Sequence, residues 1–375
     1  MLGHVAVGTW SGGRFMRFGE PIADARLEAL LRPGGGIHTV MTADAYGAGE
    51  ADSLLGRALA GVPRADYALV GAIGHDFYEG ERDGAKGFPR FTDPRLRGPD
   101  GYRDYLRMAT ERSLERLGAD AFDVLLLHNP DRRGFESPEV WEGLRELRDE
   151  GLTRALGVAP GPANGFTLDV IGCFERYGEL IDWAMLILGP LEPWPGELPL
   201  AAAERNGVKV VTRVVDYGGL FHDDVLPGHE FARGDHRGFR PAGWVEAGRE
   251  KLDRLRPIAE RHSLTPLQLA CSWNLTHAAV ECVAPTLIEE SGSAKPIERK
   301  REELAGVPAV SPLSPEEVAA IRAIGDNSGS MLLKGATPDH EGDEAPDRWV
   351  LAPRHAEVAE RWGIEPERDL RKTAA

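Results

Sequence analysis

Cysteine is scarce in this chain. Three occur in 375 residues, Cys173, Cys271 and Cys282, and no two stand in a CxxC spacing. That excludes a disulfide framework and a cysteine-built zinc site, and it suits reduced thiols in a cytoplasmic protein. Basic residues are in the minority too: 44 Lys and Arg stand against 60 Asp and Glu, a formal net charge of −16. Nucleic acid is therefore excluded as a main partner, since binding it relies on cations set against phosphate. A local basic pocket for a phosphorylated ligand is not excluded. No apolar run reaches the ~18 residues a membrane helix needs. The opening residues, MLGHVAVGTW, lack the charged and apolar regions of a signal peptide. The expectation is a cytoplasmic protein with a small-molecule partner and no membrane or nucleic acid contact. Oligomeric state has no signature in the sequence. Standard metal spacing is missing as well. His222, Asp223, Asp224, Asp235 and His236 share one loop, but they read as solvated or as an ion pair with Arg237, so no metal is expected.

What the chain does contain is an alternation. Short, uniformly apolar runs read as strands at His4–Thr9, Ile37–Ala43, Tyr67–Ile73, Phe122–Leu127, Ala155–Val158, Trp183–Leu188, Val208–Val214 and Val280–Ala284. Segments with helical spacing lie between them, among them Glu50–Leu59, Tyr102–Leu117, Pro138–Glu150, Phe166–Tyr177 and Trp244–His262. Strands without a polar face need helices on both sides, which means a parallel sheet. Eight such units over about 300 residues predict one closed (β/α)8 TIM barrel rather than an open doubly wound sheet. No GxGxxG joins a strand to a helix, which points the same way. Long loops follow strands three (Gly74–Gly101) and seven (Val215–Gly243). Residues 1–325 are read as the barrel, and 326–375 as a C-terminal extension packing on or near its mouth.

Several segments then carry a resemblance in their joint order: GTW at Gly8, TADAYGAGEADSLLGRAL at Thr42, TERSLERLGADAFDVLLLHNPD at Thr110, GLTRALGV at Gly151, DHR at Asp235 and TPLQLACSW at Thr265. The chain resembles the aldo-keto reductase superfamily across roughly Gly8 to Ile324. The resemblance implies an open site at the carboxyl ends of the strands, bound NADP, and reversible hydride transfer to a carbonyl. It maps the family's proton-donating tyrosine onto Tyr46 and its substrate-orienting histidine onto His128. Its aspartate falls on Met41 and its lysine, at the end of strand three, on Ile73, so the catalytic group is degenerate. On the cofactor side, Ala159-Pro160 stand for Ser-Asn, Met185 for a glutamine, Thr286 for a glycine and Glu303 for an asparagine. Arg213 matches an arginine beside the nicotinamide and Arg299 one that pairs with the 2′-phosphate.

The residues themselves allow further candidates. His75 lies two positions beyond Ile73, hence on the same side if the strand continues, and a histidine there can act as acid, base or cation near Tyr46. A solvent-exposed loop histidine is the equal alternative. Asp44, near Tyr46, is a candidate pocket residue, with capping of a backbone amide as the plainer reading. Trp10 and Trp194, at strand exits, are candidates for a substrate wall or for simple packing. Tyr46 and His128 have plainer readings too, as a rim aromatic and a strand-end cap. Lys86 and Lys334 are minority candidates for replacing the lost cation. Three functions stay open: an NADP-dependent oxidoreductase for a small carbonyl or alcohol, sugar-like compounds included; a non-redox lyase, epimerase or hydratase using Tyr46 and His128; and a non-catalytic binding protein.

Overall fold

The structure is a computed structural model, which describes residues 1–83, 87–161, 166–240, 242–327 and 351–370. Eight strands run parallel in sequence order. They are β1 (Ala6–Gly8), β2 (Thr39–Met41), β3 (Ala68–Ile73), β4 (Val124–His128), β5 (Leu156–Ala159), β6 (Trp183–Ile187), β7 (Lys209–Arg213) and β8 (Val280–Ala284). A parallel bridge between Val5 and Val283 brings the first strand against the last and closes the barrel. The helices fall where the spacing predicts: Glu50–Leu59, Tyr102–Leu117 and Phe166–Tyr177 keep both predicted ends. Most strands are shorter than their apolar runs, while β5 and β8 keep the predicted length. Among the described residues no helix is long and apolar enough to cross a membrane.

Side chains alternate along each strand, so the barrel has two apolar layers. The lumen holds Met41, Ala43, Val70, Ala72, Leu126 and Met185. The larger layer, between strands and helices, takes Leu69, Ile73, Leu125, Leu127 and the inner faces of the helices. Mostly small or unbranched side chains fill the lumen top, which leaves the mouth hollow.

The 74–101 loop is anchored by local pairing. Its chain returns to the strand exits, where His75 and Arg90 form an antiparallel bridge and the Phe91 amide donates to the Gly74 carbonyl at 3.0 Å. Phe91 stacks on Tyr105, centroids 4.9 Å apart, and Arg97 pairs with the buried Asp76. The described part of the C-terminal extension lies along the helix Phe166–Tyr177. There Val358 and Ala359 are buried, and His355 Nε2 sits 2.8 Å from the Asp169 carboxylate. Lys86 and Lys334 lie outside the described residues.

Candidate functional site

The turn after β2 places Tyr46. The Asp44 amide donates to the Ala72 carbonyl (3.1 Å) and the Tyr46 amide to the Ala43 carbonyl (3.0 Å), so the turn is tied to the exit of β3. His128 ends β4, its backbone paired in register with Ala159. A close approach sets the gap between β3 and β4: a Cβ at Gly74 would lie 2.3 Å from the His128 carbonyl oxygen, so only glycine fits. Trp10 folds back over Gly8, where a Cβ would meet its ring at 2.2 Å. These residues surround a cavity of about 320 Å³ at the barrel mouth, lined among others by Trp10, Tyr46, His75, His128, Arg213 and Thr286.

Tyr46 and His128 meet edge to face, centroids 5.7 Å apart. His75 also meets His128, centroids 5.1 Å apart. His75 Nδ1 lies 2.9 Å from the Phe88 carbonyl and Nε2 lies 3.1 Å from the Asn129 amide nitrogen. Those contacts suit the neutral tautomer that donates from Nδ1 and accepts at Nε2. Arg90, half-buried, donates through Nε to the Asn129 carbonyl, and its Nη1 lies 3.0 Å from the same Nδ1, a donor beside a donor in this tautomer. Burial, then Arg90, then His128 itself push the His75 pKa well below the usual imidazole value. Burial, then Arg90 and Arg213, push that of His128 down to about 3. Both rings are therefore neutral at physiological pH, and among the described residues His128 Nδ1 has no hydrogen-bond partner. Burial raises the Tyr46 phenol above its ordinary value, and the Arg213 charge opposes that rise. At neutral pH the set can donate a phenolic proton and accept or orient hydrogen bonds through imidazole. Neither histidine can act as a standing acid.

The structure moves one mapped position by a single residue. Ile73 is fully buried in the layer facing the helices, whereas Ala72 lines the cavity. The lumen position at the end of β3 is thus Ala72, because one step along a strand changes face. Met41 does face the lumen. His75 lines the cavity although it lies beyond the strand. Arg213 and Thr286 line it as well. Thr286 donates its amide to Asp216 (2.8 Å), and its carbonyl lies 2.7 Å from His222 Nε2.

Three other predicted residues stand apart from the cavity. Asp44 lies behind the wall, fully buried, and among the described residues no side chain donates to either of its oxygens. Trp194 is buried and exchanges backbone hydrogen bonds with the Asn327 side chain (3.0 and 2.9 Å). Arg299 is largely exposed on its helix and pairs with Glu302. In the loop after β7, Asp235 does pair with Arg237, but the pair is buried and shared with Glu290. Among the described residues no cluster of His, Cys, Asp or Glu could hold a metal ion. Sequence reading missed Arg90 and Asn129. Arg90 becomes a neighbour only after the 74–101 loop has folded back, and Asn129 takes a left-handed turn (φ 46°) that the pattern HNPD does not announce.

Comparison with known proteins agrees with the fold. An NADH-specific methylglyoxal reductase of Escherichia coli (strain K12) is 27% identical over 285 residues, 73% of this chain and 82% of that protein. An aldo-keto reductase of Mycolicibacterium smegmatis is 32% identical over 119 residues. That match covers 30% of this chain and 42% of that protein, less than half its length. Among solved structures, a glycerol dehydrogenase from Gluconobacter oxydans superposes with a TM-score of 0.66. Its identity is 21%, with 94% of this chain and 96% of that one covered. The holo form of an aldo-keto reductase from Bacillus halodurans gives 0.61 at 23% identity, covering 86% and 92%. The sequence model of the Aldo/keto reductase family matches residues 4–326, and with that match spanning most of the barrel, the chain belongs to the aldo/keto reductase family.

Proposed function

We propose that the protein is an oxidoreductase that interconverts a small carbonyl compound and its alcohol with NADP, using an acid–base group rebuilt around Tyr46. The observation that carries this reading is the edge-to-face pair of Tyr46 and His128 on one cavity wall, in a chain of this family. The name of the Escherichia coli relative, a methylglyoxal reductase, supports a small carbonyl. The ring end of a nicotinamide dinucleotide fits the cavity. Met185 and Ala159 offer an apolar wall, and Arg213 and Thr286 stand at its edge. The Arg213 guanidinium has spare donors: among the described residues its one hydrogen bond runs from Nη2 to the Pro160 carbonyl, at 3.0 Å. At the phosphate end, Lys295 pairs with Glu303 and Arg299 with Glu302, so binding there would have to open those pairs.

When bound, the dinucleotide supplies or accepts the hydride. Tyr46 holds the proton destined for the carbonyl oxygen. Among the described residues Arg213 is the cation that opposes the rise in its pKa, and Met41 and Ala72 leave the neighbouring lumen without charge. Neutral His128 orients the same oxygen, and His75, fixed by Phe88 and Asn129, backs its ring. Tyr46→Phe removes the donor and is expected to lower turnover by about 10²–10⁴, with cofactor affinity unchanged in a nicotinamide fluorescence titration. If neither NADPH nor NADH binds at high micromolar concentration, the reading fails. Because the cations of the phosphate end are already paired, a non-redox lyase, epimerase or hydratase using Tyr46 and His128 is the second reading. Turnover without any nicotinamide would mark it.

A further inference from the structure

Among the described residues, one guanidinium deep in the cavity wall has no carboxylate paired with it. Arg237 is matched by Asp235 and Glu290. Arg240 donates to both oxygens of Glu192, at 2.8 and 3.0 Å. The carboxylate of Asp216 accepts the amides of Thr286 and Gly219, at 2.8 and 3.0 Å. Arg213 remains. It ends β7, lines the cavity, and among the described residues has one backbone carbonyl and no carboxylate as partner. At the rim Arg82, also without a carboxylate partner among the described residues, lies over the Phe88 ring, 5.9 Å from its centroid. Also at the mouth, His75 and His128 are neutral imidazoles and Tyr46 is an uncharged phenol, so none of these three balances a cation.

A guanidinium held at a cavity wall without a counter-ion has lost water and gained little in return. A ligand anion restores the balance, and a carboxylate does so with two parallel hydrogen bonds that match the guanidinium fork. We propose that the cavity takes a small organic acid, with its carboxylate on Arg213 and its carbonyl or hydroxyl group facing Tyr46 and His128. The placement of the carbonyl rests on the oxidoreductase reading; the placement of the carboxylate rests on the unmatched guanidinium. Arg82 at the rim draws the anion in before it reaches Arg213. Burial lowers the proton affinity of Arg213, and an incoming anion reverses that.

Titration calorimetry on the full chain tests the idea, with and without NADPH. D-gluconate and D-glucitol share one six-carbon skeleton and differ in a carboxylate against a hydroxymethyl group. Glycolate and ethylene glycol repeat the contrast with two carbons. In at least one pair the acid is expected to bind about ten- to a hundredfold more tightly, the range for a hydrogen-bonded charged group. Arg213→Met should remove the preference, Arg213→Lys should keep part of it, and Arg82→Gln should slow acid association more than it weakens binding. Equal affinity within both pairs, or no measurable binding of any of the four, overturns the proposal. So does a preference that survives in Arg213→Met. Should Arg213→Met fail to fold, the wild-type contrast and its decline with rising salt still decide. A protein that binds acids yet never turns over a dinucleotide would sustain this inference and sink the oxidoreductase reading. One that reduces neutral aldehydes and ignores acids would do the reverse.

Discussion

At the exits of β2 and β3 the barrel wall has two faces of opposite character. The lumen face carries Met41, Ala43 and Ala72, with no charge. The face behind it is crowded with charge. Thr42 and Ser113 donate to Asp52 at 2.8 and 2.7 Å, Arg116 reaches the same carboxylate at 3.2 Å, and Asp44 lies buried nearby. The charged groups behind the wall are held largely by one another. Asp52 and Arg116 compensate each other, and Thr42, Ser113 and Tyr78 fill their remaining hydrogen bonds. Their field on Tyr46 is correspondingly small, and the phenol's opposing cation comes from across the barrel, from Arg213. Charge on the helix side of a strand builds the fold, and charge on the lumen side does chemistry. Here the lumen side of β2 and β3 is uncharged at this level, and the cation that acts on Tyr46 stands at the end of β7.

The sharpest way to break this contrast is to move one charge by one residue. Ile73→Lys puts an ammonium into the fully buried helix-facing layer, a penalty of several kcal/mol that should leave little folded protein. Ala72→Lys puts the same group into the open cavity, so its stability in urea should stay within about 1 kcal/mol of the parent. Its lysine also joins Arg213 in lowering the Tyr46 pKa, which should shift the alkaline limb of any turnover profile toward lower pH. Equal destabilisation by the two variants would mean that the faces have been assigned wrongly.

That one-residue step also marks how far the sequence could be read. The alternation of apolar runs led directly to eight strands and a barrel, because burial on both faces leaves a strong compositional trace. Tyr46 and His128 were legible through the motifs TADAYGAGE and LLLHNPD, each local to a strand exit. Facing was not legible at the end of β3, since Ala72 and Ile73 are both apolar and both lie within a buried strand. Arg90 was invisible for a different reason. It meets His75 fifteen positions away through a bridge in a loop with no periodic pattern. Asp44 was read as near the pocket from its spacing to Tyr46, which fixes distance along the chain but not the side to which a carboxylate points.

The next effect is on stability. Asp52→Ala leaves the Thr42 and Ser113 hydroxyls and the Arg116 guanidinium without their shared acceptor. Breaking a buried charged pair from one side typically costs about 3–5 kcal/mol. The urea midpoint should fall accordingly, while ligand affinity in the surviving folded protein stays near that of the parent. A loss of affinity as large as the loss of stability would show that the two faces are not separate.

The smallest effect concerns Asp44, and its sign is the test. Burial first, and then the neighbouring Asp52, push its pKa well above the ordinary carboxylate value. Among the described residues no side chain donates to either oxygen, and burial outweighs the Ala45 amide and the Arg116 charge that favour the ionised form. A carboxyl that binds its proton more tightly when folded stabilises the fold at low pH. That contribution is lost as pH rises from the unfolded-state value toward the folded one. Compared with Asp44→Asn, wild-type protein should therefore match best near pH 4 and fall behind steadily toward pH 8. The difference can grow by at most about 1.4 kcal/mol per pH unit. The measurement is a set of urea curves on both proteins across that range. A wild type that gains on Asp44→Asn as pH rises would mean that Asp44 is ionised when folded. A carboxylate charge would then stand behind Tyr46 after all, and the phenol's acidity could no longer be assigned to Arg213 alone.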